Sequence, residues 1–259
     1  RRGILDLVQA LGKKVESGKL DEVTLTTNGS QLEKYASGLY KAGMRRINVS
    51  LDTLDADKFH KITRRGDLAK VLKGIEAARS AGLEVKINAV AIKGMNDSEF
   101  SDLLRFCLER DMSLTLIEAM PMGEVEANRN DQFYPLLSVI PELQKSWDIS
   151  PSTHKTGGPA RYYDIAGYRA KLGLISPLTN NFCASCNRVR VTCTGQIYLC
   201  LGREEHIDLR AALRNSDKDD AFHTALDAAL AQKPEGHLFE EALKEALPAT
   251  SRHMNVTGG

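Results

Sequence analysis

The chain has 259 residues, 35 Lys and Arg against 34 Asp and Glu, a net charge of +1, and 42% hydrophobic residues. This composition suits a globular α/β protein large enough to bury a core, and the charge balance argues against bulk electrostatic binding to nucleic acid or to a membrane surface. No apolar run approaches the ~18 residues of a membrane span, and Arg1-Arg2-Gly3-Ile4 does not resemble a signal peptide, so a cytoplasmic location is expected.

In chain order, Ile4, Leu5, Val8 and Leu11 recur at helical spacing. Residues 22–28 read as a strand, 31–42 as a helix stopped by Gly43, and 46–52 as a strand. A helix over 68–81 ends at Gly82 and a strand follows over 83–92. Ser98 caps a helix reaching about residue 110, before a strand over 113–120. Repeated strand-helix-strand order implies a parallel sheet, either a closed barrel or a doubly wound sheet. Past Pro121-Met122-Gly123 the rhythm changes. A helix is expected over 131–146, a Ser-, Thr-, Gly- and Pro-rich stretch over 151–159, and short strands over 161–164, 168–175, 188–192 and 196–199. Thr194-Gly195 is the last hairpin turn, and helices over 209–214 and 220–232 lead to a polar tail. The reading divides the chain into residues 1–148 and 149–259.

Side chains alternate across a strand. Val23 and Leu25 oppose Thr24, Thr26 and Asn28; Ile47, Val49 and Leu51 oppose Asn48, Ser50 and Asp52; Val85, Ile87 and Ala89 oppose Glu84, Lys86 and Asn88. A sheet covered by helices on both sides should be apolar on both faces. One apolar and one persistently polar face point instead to an incomplete TIM-type (β/α) barrel whose wet interior holds a polar ligand. Lys86, in mid-strand, calls for an anionic partner such as a ligand phosphate or carboxylate.

Four of the five cysteines, Cys183, Cys186, Cys193 and Cys200, fall in one short stretch. Cys183-x2-Cys186 with Cys200 downstream is metal spacing. Soft thiolates suit zinc or an iron-sulfur cluster: four ligands with Cys193 would make a closed structural zinc, three a [4Fe–4S] cluster with one open iron. Spacing alone leaves both open. Cys107, within a helix, reads as a small core residue. Arg188 and Arg190 alternate with Val189 and so share one strand face beside the cysteines, an arrangement suited to a phosphate clamp.

The sequence also carries Thr26-Thr27-Asn28-Gly29, Arg45-Arg46-Ile47-Asn48-Val49-Ser50-Leu51-Asp52, Lys86-Ile87-Asn88 with Gly94-x-Asn96, and Ile117-Glu118-x-Met120-Pro121-Met122-Gly123. Gly158-Pro159-Ala160-Arg161-Tyr162-Tyr163, Phe182-Cys183-x2-Cys186-Asn187-Arg188-x-Arg190 and the terminal Gly258-Gly259 follow in order. In order and spacing this set resembles the GTP 3′,8-cyclase family, radical S-adenosylmethionine enzymes that start molybdenum cofactor synthesis. The resemblance implies an incomplete (β/α) barrel followed by a C-terminal α+β domain with a [4Fe–4S] cluster on Cys183, Cys186 and Cys200, whose open iron holds GTP. It implies GTP contacts at Thr26, Lys86, Arg188 and Arg190, S-adenosylmethionine contacts at Ser50 and Met120, and a role in turnover for Gly258 and Gly259. It further implies that a second, N-terminal cluster cleaves S-adenosylmethionine to a 5′-deoxyadenosyl radical, which abstracts the 3′ hydrogen of GTP before the ribose carbon attacks guanine C8. The product would pass to cyclic pyranopterin monophosphate synthase. The enzyme would be a monomer or homodimer.

The chain departs from that pattern at three places. The family's C-x3-C-x2-C motif is not in the sequence, so an N-terminally incomplete chain, inactive alone, is expected. Thr115 stands where Arg is usual, removing a charge from the pocket wall. Cys193 stands where Ser or a similar small residue is usual, and as a candidate fourth ligand it would close the open iron. Two other readings compete: an inactive remnant binding GTP and the C-terminal cluster, and a barrel protein with a four-thiolate zinc.

Overall fold

The computed structural model describes residues 2–123, 129–215 and 218–257. They form two compact units, Arg1–Glu118 with Tyr134–Ile175, and Ala119–Phe133 with Ser176–Gly259.

The first unit is built on a seven-stranded sheet of β1 (Thr24–Thr27), β2 (Arg46–Ser50), β3 (Glu84–Ala91), β4 (Ser113–Glu118), β5 (Ile149–Pro151), β6 (Arg161–Ile165) and β7 (Lys171–Ile175). The spatial order is β1-β2-β3-β4-β7-β6-β5. β1 to β4 and β7 run parallel, while β6 and β5 return antiparallel. The parallel sheet expected from the strand-helix rhythm is present; among the described residues it is open, with β1 and β5 at its edges.

Its helices are α1 (Ile4–Glu16), α2 (Leu32–Lys41), α3 (Ala56–Thr63), α4 (Leu68–Ser80) and α5 (Phe100–Leu108). The apolar strand face carries Ile47, Val49, Val85, Ile87, Ala89, Leu114 and Leu116, all at most 2% exposed, and shares one core with Leu39, Ile75 and Leu104 from α2, α4 and α5. α2 and α4 pack closely because position 74 is glycine: a Cβ there would stand 2.5 Å from the Gly29 carbonyl oxygen. Asp55 and Asp67 cap α3 and α4 by accepting the Lys58 and Lys70 amides.

Two local expectations change. Ser98 does not cap α5, which starts at Phe100 without a side-chain cap; the preceding Glu99 amide donates to the Asn96 carbonyl instead. The helix expected over 131–146 is broken into α6 (Arg129–Gln132), a 3₁₀ turn (Leu136–Ser138) and α7 (Val139–Leu143). Pro135 explains the break, since it donates no N–H and disfavours helical backbone at Tyr134. Strands on both sides of residue 148 share the first sheet: β5 to β7 follow that position in sequence, and β7 adds in parallel to β4 and brings β6 and β5 with it.

The second unit holds the antiparallel strands β8 (Arg190–Val191), β9 (Gln196–Tyr198) and β10 (His206–Asp208), in order β10-β9-β8. With them are α8 (Leu209–Arg214), α9 (Asp220–Ala231) and α10 (Phe239–Glu245). Ile197, Leu199, Leu209 and Ala229 form its small core, flanked by Phe222 and Leu226. The segment after β4 belongs here because the Ala249 amide donates to the Pro121 carbonyl at 2.8 Å and the Gly123 amide to the Thr250 carbonyl at 2.9 Å. Arg252, 7% exposed, stacks 3.9 Å over the Tyr198 ring and donates at 2.9 Å to the carbonyls of both Leu201 and Arg203. Among the described residues no helix is long and apolar enough to cross a membrane.

Candidate functional site

The polar face of the first sheet is ordered by strand register. Thr26 pairs with Asn48, Asn48 with Lys86, and Lys86 with Ser113. The next row runs Ser50, Asn88, Thr115, Gly173, Tyr162. Thr26 and Ser50 are exposed, whereas Asn48, Lys86 and Asn88 are half-buried. Lys86 Nζ donates to the Tyr162 hydroxyl at 2.9 Å and sits 5.2 Å from the centre of that ring. The partner found within the unit is thus a neutral phenol, which leaves the ammonium charge uncompensated by it and further N–H donors to spend. Gly173 makes room for this contact, because a Cβ there would approach Tyr162 Cε1 to 3.2 Å and Thr115 Oγ1 to 2.9 Å. Thr115 is fully buried, and its hydroxyl and the Asn88 Oδ1 opposite have no hydrogen-bond partner among the described residues.

The loops at the carboxyl ends of β2 and β3 are fastened to each other. Asn96 Nδ2 donates to the carbonyls of Asp52 (2.7 Å) and Val90 (2.9 Å), while its Oδ1 accepts the Ile92 amide (2.9 Å). Asp52 Oδ1 accepts the Val90 amide at 2.7 Å. Burial pushes the Asp52 carboxyl above the usual carboxylate range, opposed by that Val90 amide.

In the second unit Cys183 opens a 3₁₀ turn (Cys183–Ser185); its amide donates to Asn181 Oδ1 at 2.7 Å, and the Cys186 amide returns to the Cys183 carbonyl at 3.0 Å. β8 and β9 pair as a hairpin, Arg190 with Tyr198 and Val191 with Ile197. Cys186 precedes β8 and Cys200 follows β9, so both belong to the open end of the hairpin. Cys193 is exposed in the turn at the closed end, a displacement on the order of 10 Å at ~3.3 Å per residue.

The electrostatics group the sulfurs in the same way. Burial pushes the Cys200 thiol up; the Gly202 amide opposes this, and the Cys183 and Cys186 sulfurs add to the rise. Burial also acts to raise Cys186, but the Arg188 amide and guanidinium with Lys233 outweigh it and hold that thiol below the usual range. Two sulfurs that act on the Cys200 thiol, one of them, Cys186, itself drawn toward thiolate, fit a thiolate-ligated metal group in their chemistry. They are not closed into a cage: no group of three or more His, Cys, Asp or Glu side chains among the described residues stands in metal-holding geometry.

Arg188 and Arg190 are half-buried and alternate with exposed Val189 and Val191, so they share a face, as the sequence pattern indicates. Arg188 lies 5.0 Å over the Phe182 ring. Burial and then the Arg188 charge lower the Arg190 pKa. Among the described residues no carboxylate pairs with either arginine. Met120 is half-buried in the second unit, its carbonyl accepting the Met122 amide. Gly258 and Gly259 lie outside the described residues.

A family model described as the Radical SAM superfamily matches residues 1–107, and one described as Molybdenum Cofactor Synthesis C matches residues 112–239. The chain is 54% identical over all 259 residues to the GTP 3′,8-cyclase of Rhizobium etli (strain CIAT 652), covering 74% of that protein. It is 55% identical to the enzyme of the same name from Rhizobium meliloti (strain 1021), again covering 74%, and 53% identical to that of Mesorhizobium japonicum, covering 78%. The chain belongs to the GTP 3′,8-cyclase family.

Three residues of these surroundings carried no role in the sequence reading. Tyr162 was visible only as part of a motif, because its contact with Lys86 spans 76 positions and depends on β6 returning antiparallel beside β7. Asn96 was likewise a motif position without a function. Lys233 had no sequence signal, being a single lysine after a helix.

Proposed function

We propose that this chain acts in the conversion of GTP to its 3′,8-cyclised dihydro form, the first step of molybdenum cofactor synthesis, and that the product is consumed by cyclic pyranopterin monophosphate synthase. In this reading the parallel sheet is part of a TIM-type (β/α) barrel with its polar face inward. Thr26 and Lys86 contact GTP, Ser50 and Met120 contact S-adenosylmethionine, and Gly258-Gly259 serves turnover. Arg188 and Arg190 hold phosphate oxygens. The observation that carries the proposal is this arginine pair, without a carboxylate partner among the described residues and in the same segment as Cys186, whose thiol the Arg188 amide and guanidinium hold down. Two guanidiniums on one face suit paired N–H donation to a phosphate, and Lys86, bonded to a neutral phenol, keeps its charge for another.

Cys183, Cys186 and Cys200 would hold a [4Fe–4S] cluster, with Cys193 outside the ligand set. When bound, such a cluster on three thiolates supplies an iron with an open position for a substrate atom. The family's other cluster needs C-x3-C-x2-C, which these 259 residues do not include, so the direct test is GTP binding. After anaerobic reconstitution, R188A and R190A should each weaken GTP about ten- to a hundredfold, the value of one charge-assisted hydrogen bond of roughly 1.5–3 kcal/mol. Unchanged affinity in the double variant would refute the clamp. Iron and sulfide, rather than one equivalent of zinc, should accompany the protein; zinc without visible absorbance would favour a structural four-thiolate site.

A further inference from the structure

We propose that Lys233 is a positioning residue for the thiol set, tying together the two segments that carry Cys186 and Cys200 and directing its charge at the Cys186 sulfur. This rests on reading Cys183, Cys186 and Cys200 as metal ligands. Lys233 Nζ donates to the Arg188 carbonyl at 2.8 Å and the Leu199 carbonyl at 2.7 Å, and lies 3.9 Å from Cys186 Sγ. Arg188 is two residues beyond Cys186, and Leu199 immediately precedes Cys200. An ammonium has three N–H donors, and these three acceptors use all of them.

The lysine is also held in place. The Gln232 and Lys233 amides close the end of α9 on the Ala229 and Leu230 carbonyls, and Ala229 is fully buried against the strand core. Pro234 then stops the helix from continuing. Three residues on, Gly236 brings backbone against Cys183, where an added Cβ would stand 4.0 Å from Sγ. Arg203 Nε fixes that turn by donating to the Gly236 carbonyl at 2.7 Å. The segment 233–236 therefore meets all three cysteine-bearing stretches. A cation donating to a ligand sulfur also stabilises the more negative, reduced form of an iron-sulfur cluster.

The test uses the whole chain, reconstituted anaerobically with iron and sulfide, as wild type, K233M and K233R. Among its five cysteines only the four of the C-terminal group are candidates for the visible signal, since Cys107 is fully buried. Removing a residue that orients ligands costs about ten- to a hundredfold in metal affinity, so K233M should lose iron to a chelator at that much lower chelator concentration. Its reduction potential should shift to more negative values. K233R keeps the charge but cannot reach three diverging acceptors, so it should lose iron more readily than wild type while its potential stays closer to wild type than that of K233M. Equal retention and equal potential in K233M and wild type would overturn the proposal. If K233M does not fold, by far-UV circular dichroism, K233R decides alone: iron retention equal to wild type overturns the clamp. A wild type that takes up iron no better than C200A would instead bring down the ligand reading, and the proposal with it.

Discussion

Asn96 should be the costliest single polar side chain to remove from the first unit. It is fully buried and makes three hydrogen bonds of 2.7–2.9 Å, donating to the Asp52 and Val90 carbonyls and accepting the Ile92 amide. N96A strips all three at once from backbone groups that water does not easily reach. At about 1 kcal/mol net for each bond the loss is about 3 kcal/mol, and more where a stranded group pays its full desolvation cost. Against a typical total of ~5–15 kcal/mol this is a large fraction. The chain's one tryptophan reports on the right unit, because Trp147 donates to Ser101 Oγ at 3.0 Å on α5. With a urea slope near ~2 kcal/mol per M, the Trp147 fluorescence midpoint should fall by about 1.5 M. N96D separates donor from acceptor roles: it still accepts from Ile92 but faces two carbonyls with a carboxylate, so it should be at least as damaging at neutral pH. A midpoint within about 0.3 M of wild type for N96A, at unchanged slope, would refute the reasoning.

Burial raises the Asp52 pKa, so the folded state holds that proton more tightly than the unfolded chain. Its stabilising contribution is full below the ordinary carboxylate range and is lost as pH rises through the folded-state value. D52N keeps an acceptor oxygen for the Val90 amide without the charge, so its stability relative to wild type should climb from acid to neutral pH; a flat difference would count against the assignment. T115V replaces a buried hydroxyl that has no partner among the described residues with a methyl of the same shape and should raise the urea midpoint, by about 1 kcal/mol in free energy; destabilisation would show that the hydroxyl is satisfied. Alkylation of the metal-free protein, mapped by mass spectrometry, should label exposed Cys193 first and Cys107 only on unfolding, since burial pushes the Cys107 thiol far up. Early labelling of Cys107 would contradict its placement in the core.

The parts of the fold legible in the sequence are those where one residue's burial repeats along an element. β2 and β3 were readable because Ile47, Val49, Val85, Ile87 and Ala89 alternate with polar residues, and α4 because Leu68, Val71, Ile75 and Ala78 make a helical stripe. α3 was not, since it buries only Phe59, and β10 is three residues long with half-buried Ile207 as its sole apolar member. The polar face could be read from alternation, but not its internal contacts: Lys86 meets Tyr162 through a strand order that reverses after β4. The cysteine spacing gave the candidate ligands, while the separation of Cys193 from them follows from hairpin pairing, which spacing does not specify. The composition changes at residue 148, whereas the packing across it follows hydrogen-bonded neighbours, here β4 and β7, which composition does not reveal.

The buried guanidinium of Arg252 gives the C-terminal segment a structural duty. Its planar N–H groups take up the Leu201 and Arg203 carbonyls directly after Cys200, and Glu204 Oε1 in turn accepts the Ser251 amide at 2.7 Å. The loop leaving Cys200 and the segment around Ser251 and Arg252 thus form one stitched seam. Loosening either side should unpick the other, so protease cleavage near residue 251 becomes a readout of order at Cys200.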